Sequence, residues 1–155
     1  MENFQAANEE SRLRLFDLID RLKDDDLALE LDAGWTIGAV LAHLAFWDQR
    51  ALTLVERWSR DGVGPSPVDA DAINDACRPL LRHLSPAAVR ELVRDSAAAI
   101  DAAIEGLAPS MVVDIEEHAT QFHLGRAIHR NAHLDELEVH LARRGRPARG
   151  QPLGK

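Results

Sequence analysis

The sequence predicts an all-α protein, a four-helix bundle with a long, partly helical crossover between its second and third main helices. Three observations carry that expectation. Apolar residues recur at helical spacing through most of the 155 residues, and alternating, strand-like runs are nearly absent. Cap and stop residues also fall where such helices should begin and end.

Leu15, Leu18, Ile19 and Leu22 share one helical face and predict a first helix over residues 3–24, with Glu10–Arg14 and Asp17–Arg21 as charge pairs on its wet side. Lys23-Asp-Asp-Asp26 interrupts the pattern. Thr36 is the predicted N-cap of the second helix, with Trp35 before it able to pack on Val40 as a hydrophobic staple. This helix should run to about Ser59 and stop at Gly62-Val-Gly-Pro-Ser-Pro67. It is apolar almost all round, with Leu41, Ala45 and Leu52 roughly opposite His43, which predicts burial at the centre of the fold or at a subunit interface. Residues 69–81 read as a short crossover helix. Ser85-Pro86 pairs a serine cap with proline at the first helical position, and Leu84 and Val89 can staple across it. The third main helix carries Ala97, Ala98, Ala99, Ala102 and Ala103 and ends near Gly106 and Pro109. Residues 110–120 fit either an extended segment or a loop. The last helix is expected from Gln121 or Leu124 to Arg144, with Gly145 as its stop, so residues 1–144 form one domain and 145–155 a flexible tail.

Composition narrows the function. A formal charge of −8 disfavours a nucleic-acid binder, and the one basic run, Ala142-Arg-Arg-Gly-Arg-Pro-Ala-Arg-Gly150, falls largely in the expected tail. The longest nearly apolar run, Ile37–Trp47, contains His43 and falls well short of the ~20 residues of a membrane span, so no membrane partner is expected. With a single cysteine, Cys77, and no basic-then-apolar leader, the expected location is the cytoplasm.

The histidines carry the chemistry. Five of seven lie between His118 and His140, and His129 and His133 stand one turn apart on a predicted helix. Such a pair projects both imidazoles from one face, about 6 Å apart along the axis. His43, on the predicted second helix beside Val40, Trp47 and Leu54, can supply a third nitrogen from a facing helix. On a helical projection His129, His133, Glu136 and His140 form one stripe, flanked by Ile128, Ala132 and Val139 on one side and Leu137 and Leu141 on the other. Arg130, Asn131, Asp135 and Glu138 take the remaining arc. A polar stripe within an apolar face is costly unless paired or metallated, so His43, His129 and His133 are predicted to hold a divalent metal. Glu136 and His140 fit either an alternative ligand pairing or a role orienting an imidazole, the second being preferred for Glu136 and a partly exposed position near the helix end for His140. His118, His123 and His83 read as surface residues, His118 and His123 with a pocket rim as the other possibility. Cys77 reads as a packed residue. Zinc or nickel suits imidazole ligation, with iron and manganese as further candidates.

Gly34-Trp-Thr-Ile-Gly-Ala-Val-Leu-Ala-His-Leu-Ala-Phe-Trp-Asp48, followed about 80 residues later by His129-Arg-Asn-Ala-His133-Leu-Asp-Glu-Leu-Glu138, resembles the DinB-like superfamily over nearly the whole chain. That superfamily includes thiol-dependent transferases and the metal-binding domain of mycothiol-dependent maleylpyruvate isomerase. The resemblance implies a metal on His43, His129 and His133 and frequent homodimers. It also implies an enzyme that adds or transfers a low-molecular-weight thiol, such as mycothiol or bacillithiol, to a small electrophile, or a related isomerase. The other reading is a non-catalytic metal- or small-ligand-binding stress-response protein. Some relatives have Glu-x-x-x-His in the last helix, where this chain has His129.

Overall fold

The computed structural model describes residues 4–145, which fold into helices α1 (Phe4–Arg21), α2 (Asp24–Leu27), α3 (Ile37–Asp61), α4 (Ala70–Leu81), α5 (Pro86–Glu105), α6 (Pro109–His118) and α7 (Ala127–Arg144). The four long helices α1, α3, α5 and α7 form the bundle: α3 lies along α5, α5 along α1, α1 along α7, and α7 returns to α3. The short α4 packs on α3 from the crossover. The all-α bundle is therefore as the sequence predicts. The tail expected from residue 145 lies, apart from Gly145, outside the described residues.

The caps written in the sequence set the helix starts. The Thr36 hydroxyl accepts from the Ala39 N–H at 3.1 Å, Asp69 from Ala72 at 3.0 Å, and Ser85 from Ala88 at 3.2 Å with Pro86 at the first helical position. Ahead of Thr36, Ala33 (φ 55°) and Gly34 (φ 78°) take left-handed conformations, closing a turn in which Leu31 N–H donates to the Trp35 carbonyl at 2.8 Å. That turn delivers Trp35 and the start of α3 to the bundle centre. At Gly38 a Cβ would stand 3.0 Å from the Leu27 carbonyl oxygen, so glycine lets α2 lie against α3.

α3 is buried from Ile37 through Ala45, because α2, α4, α5 and α7 all pack on it. Its apolar circumference is thus accounted for inside the chain. One core cluster joins Leu15, Leu18, Ile19, Leu41, Leu44, Val93, Leu134 and Leu137, and a second joins Leu54, Trp58, Ile100, Ile104, Ile115 and Leu124. Each large aliphatic side chain so buried contributes roughly 1.5–3 kcal/mol of transfer free energy.

Several expectations need correcting. Residues 110–118 are helical, started by Pro109 and anchored by buried Ile115. α7 begins at Ala127 rather than at Gln121 or Leu124, because residues 119–126 form turns held by Phe122 N–H to the Ala119 carbonyl at 2.7 Å and Arg126 N–H to the Leu124 carbonyl at 3.0 Å. α1 supplies the missing cap: buried Asn8 accepts from the Ala127 N–H at 3.1 Å and donates to the Leu124 carbonyl at 2.9 Å. Of the alanines expected to line the face of α5 only Ala97 is buried; Val89, Val93, Ser96, Ile100 and Ile104 complete the packed face. Arg14 reaches across to Asn131, Asp135 and Glu138 instead of pairing with Glu10, whereas Asp17–Arg21 forms as expected at 2.9 Å. Among the described residues, no single helix is long and apolar enough to cross a membrane.

Candidate metal centre

The apolar sequence of α3 drives it into the middle of the bundle, so His43 arrives 5% exposed at its buried first half. From α7, His129 and His133 approach the same point. One nitrogen from each of the three imidazoles lies within 4.8 Å of the others, and the ring centroids are 4.9–5.1 Å apart in edge-on arrangements. The Nε2 atoms of His43 and His129 are 3.1 Å apart. Trp35 and Trp47 set their rings edge-on to His43, at 5.4 and 6.3 Å. Asn74 on α4 fixes Trp47 by accepting its indole N–H at 3.0 Å.

Burial, reinforced by the neighbouring His133, pulls the His43 pKa down to about 4. Burial pulls His129 down to about 3, with His133, His43, Arg126 and Arg130 adding to it. Both imidazoles are therefore neutral at pH 7, the state in which a histidine donates a lone pair to a metal.

The donor set fits a divalent cation. Two imidazole nitrogens each ~2.0–2.1 Å from one ion stand ~2.9–3.4 Å apart between octahedral and tetrahedral angles, and the 3.1 Å separation falls in that range. The same 3.1 Å would suit one neutral N–H···N hydrogen bond, but such a bond engages only two rings and leaves the third unexplained. His133 Nδ1 is buried and, among the described residues, without a hydrogen-bond partner. Glu136 comes within 3.4 Å of it but lacks hydrogen-bond alignment and is largely exposed. A cation accounts for three converging lone pairs.

The cluster opens into a cleft of about 1330 Å³ between α3, α4 and α7, walled by Trp35, Trp47 and Val40 and reached by arginines 50, 78 and 126. His140 lines this cleft farther along α7, its Nε2 buried and without a hydrogen-bond partner among the described residues, outside the three-histidine cluster. His123 reaches the cleft rim from an exposed position; His118 is exposed, its Nδ1 3.0 Å from the Asp114 carbonyl, and His83 is exposed. Cys77 is partly buried on α4.

The surroundings of α7 differ from the sequence reading. Its buried face runs through Ala127, Arg130, Leu134 and Leu137, so the histidine stripe lies at the edge of that face, roughly 90° round the helix from its centre. Ile128 and Val139 are exposed, at 71% and 50%, and Ala132 is exposed too. Arg130, expected on the wet arc, is 0% exposed. It donates from Nε to Asp48 at 3.0 Å, and from both terminal nitrogens to Asp101 at 3.0 and 2.9 Å. It also reaches the Asn8 carbonyl at 3.1 Å. Arg126 takes the other Asp48 oxygen at 3.0 Å, and Arg12 shares Asp101. Burial works against the Arg130 charge, yet the two carboxylates outweigh it and raise its pKa. The signal for this network was the repeat Arg130, Leu134, Leu137, Leu141, a helical stripe with a cation at a core position.

Searches of curated proteins and of solved structures return no match. The profile of the DinB superfamily, by contrast, matches residues 7–142, from the first helix through nearly the whole of the last. A match over that span, on a helical bundle in which α3 and α7 bring three histidines together, establishes that this chain belongs to the DinB superfamily.

Proposed function

We propose that the protein is a metal-dependent enzyme that joins a low-molecular-weight thiol to a small electrophilic substrate, or isomerises a substrate with the help of such a thiol. The observation that carries this reading is the position of the three histidines: they converge on the wall of a large cleft rather than inside a closed core. Three neutral imidazoles leave coordination positions open, the pattern of reactive rather than structural metal sites. A divalent metal, zinc or nickel before iron or manganese, held by His43, His129 and His133 would stabilise a thiolate at neutral pH and polarise a substrate oxygen. The chain's own residues prepare the place. Trp35 and Trp47 flank His43 and give the cleft an apolar wall beside it. The Asn74 hydrogen bond keeps the Trp47 ring in position as a cleft wall. Mycothiol and bacillithiol are the thiols to try first, and a cytoplasmic homodimer is part of the proposal, with exposed Ile128 and Val139 on α7 as apolar contacts for a second copy.

A second reading, a non-catalytic metal- or ligand-binding protein, gains support from the absence, among described residues, of a carboxylate hydrogen-bonded to any of the three imidazoles. Metal analysis of untagged protein and of His43→Ala separates these readings when combined with thiol-consumption assays on electrophiles. Stoichiometric metal in the wild type, its loss in His43→Ala and metal-dependent turnover support the enzyme. Metal without turnover across the thiols supports the second reading, and unchanged metal content in His43→Ala removes His43 from the site.

A further inference from the structure

On α3, His43, Trp47 and Arg50 recur at helical spacing and all three line the cleft. Arg50 stands seven residues beyond His43, about 10 Å along the axis. Its guanidinium lies over the Trp47 ring at 5.6 Å and donates one hydrogen bond, to the Ser66 hydroxyl at 2.7 Å. Among the described residues it is the one arginine at least partly buried that pairs with no carboxylate. Of the other arginines lining this cleft, Arg126 pairs with Asp48 and Arg78 with Asp75, while Arg143, in the last turn of α7, is exposed. Behind the cleft, moreover, Arg12, Arg126 and Arg130 share only the carboxylates of Asp48 and Asp101. Arg50 adds a fourth guanidinium, so this end of the cleft is locally cationic in a chain of net charge −8. Burial and then repulsion from Arg126 both lower the Arg50 pKa, so its charge is held at a cost that an anion would relieve. A guanidinium presents five N–H donors in a planar fork, and Ser66 uses one.

We propose that Arg50, together with Arg126, forms an anion subsite that holds the carboxylate or phosphate group of a small molecule whose reacting end lies at the three histidines. This rests on reading the cleft as the substrate site, and it adds a specificity element to it. The spacing along α3 sets the substrate's dimensions: its anionic group lies about 10 Å from its reacting atom, with an apolar middle against Trp47. Asp71, on the α4 side of the cleft, forms no pair with Arg50 and disfavours a second negative charge there.

The test uses full-length, metal-free protein, so that an anion cannot be held by a metal instead. Inorganic phosphate and glutarate are titrated by calorimetry into wild type, Arg50→Gln and Arg50→Lys at low salt. The expected result is binding of at least one anion to wild type, weakened about tenfold or more in Arg50→Gln and less in Arg50→Lys, which keeps charge but loses the fork. The tighter of the two anions identifies the head group. Zinc affinity, measured separately at about 0.15 M salt, should stay within about threefold of wild type in Arg50→Gln, since a charge about 10 Å away lies beyond the Debye length there. Wild-type affinity retained in Arg50→Gln, or no binding of either anion to wild type, overturns the proposal. Should Arg50→Gln not fold by circular dichroism, the Arg50 side-chain Nε resonance of the wild type replaces it, and its failure to shift on titration has the same meaning. Zinc binding lost with anion binding intact would defeat the metal reading and leave the subsite; zinc bound with no anion bound would defeat the subsite alone.

Discussion

Replacing Arg130 with methionine removes the group that ties three helices to α7. Its side chain is 0% exposed and its donors reach Asp48 on α3, Asp101 on α5, and the Asn8 carbonyl and, at 3.4 Å, the Ser11 hydroxyl on α1. Methionine fills much of the volume, so the loss is chiefly electrostatic. Asp48, 1% exposed, would keep only Arg126, and Asp101 only Arg12. Breaking a buried ion pair from one side costs about 3–5 kcal/mol, because the abandoned carboxylate keeps its desolvation penalty. We therefore expect Arg130→Met to lower unfolding stability by about 4 kcal/mol, a large share of the 5–15 kcal/mol typical of a domain. Asp48→Asn should cost about 2–4 kcal/mol, and the double variant less than the sum of the two by about 2 kcal/mol, since they remove one shared interaction. Urea unfolding followed by far-ultraviolet circular dichroism reads all three, provided the slope with denaturant stays constant. An Arg130→Met protein within about 1 kcal/mol of wild type would refute the reasoning, because a guanidinium buried in this way cannot be that cheap to remove.

Two further outcomes follow from local geometry. The folded pKa values of His43 and His129, about 4 and about 3, lie below the ordinary 6.5, so the unfolded chain takes up protons first as the pH falls. Metal-free protein should hold its stability above pH 6.5 and lose it below, by about 2 kcal/mol at pH 5 from His43 alone, with a shallower slope in His43→Gln; pH-independent urea midpoints from 7 to 5 would contradict this. Ala33, at φ 55° and ψ 28°, occupies a conformation that disfavours a Cβ, so Ala33→Gly should raise stability by about 0.5–1 kcal/mol in thermal melts, and a loss would contradict the left-handed turn.

What the sequence disclosed, and what it hid, separates along the range of the interactions concerned. Thr36, Asp69 and Ser85 act on their own next turn, so their caps could be read directly. The histidine spacing likewise needed only one helix for His129 and His133, plus an apolar α3 to bring His43 inward. The start of α7 was not legible, because its cap is Asn8, more than a hundred residues away. The buried face of α7 was misplaced for a related reason. Projection of one helix offers two stripes here, one of histidines and one of Arg130, Leu134 and Leu137, and charge alone argued for putting arginine outside. Only the carboxylates of α3 and α5 reverse that preference, and nothing local to residue 130 announces them.

The placement of that network bears on the site itself. Apolar packing is not directional, and α7 could slide or turn against α3 with modest loss of buried area. Charged pairs specify atoms: Asp48 lies five residues from His43, and its two oxygens take Arg126, at the cap position just before α7, and Arg130, so the two arginines bracket His129 in the sequence. The ionic contact and the histidine contact thus join the same two helices less than two turns apart. Fixing the first fixes the register and rotation of the second, which brings the Nε2 atoms of His43 and His129 to 3.1 Å. A conservative Arg130→Lys keeps the charge but cannot hold Asp48 and Asp101 at once with a planar fork. Metal affinity should therefore fall in that variant by about tenfold or more, an effect of the size seen when groups orienting metal ligands are removed. It should do so at a pH and temperature where the helix content is unchanged. Undiminished zinc affinity in folded Arg130→Lys would mean that packing alone aligns the histidines.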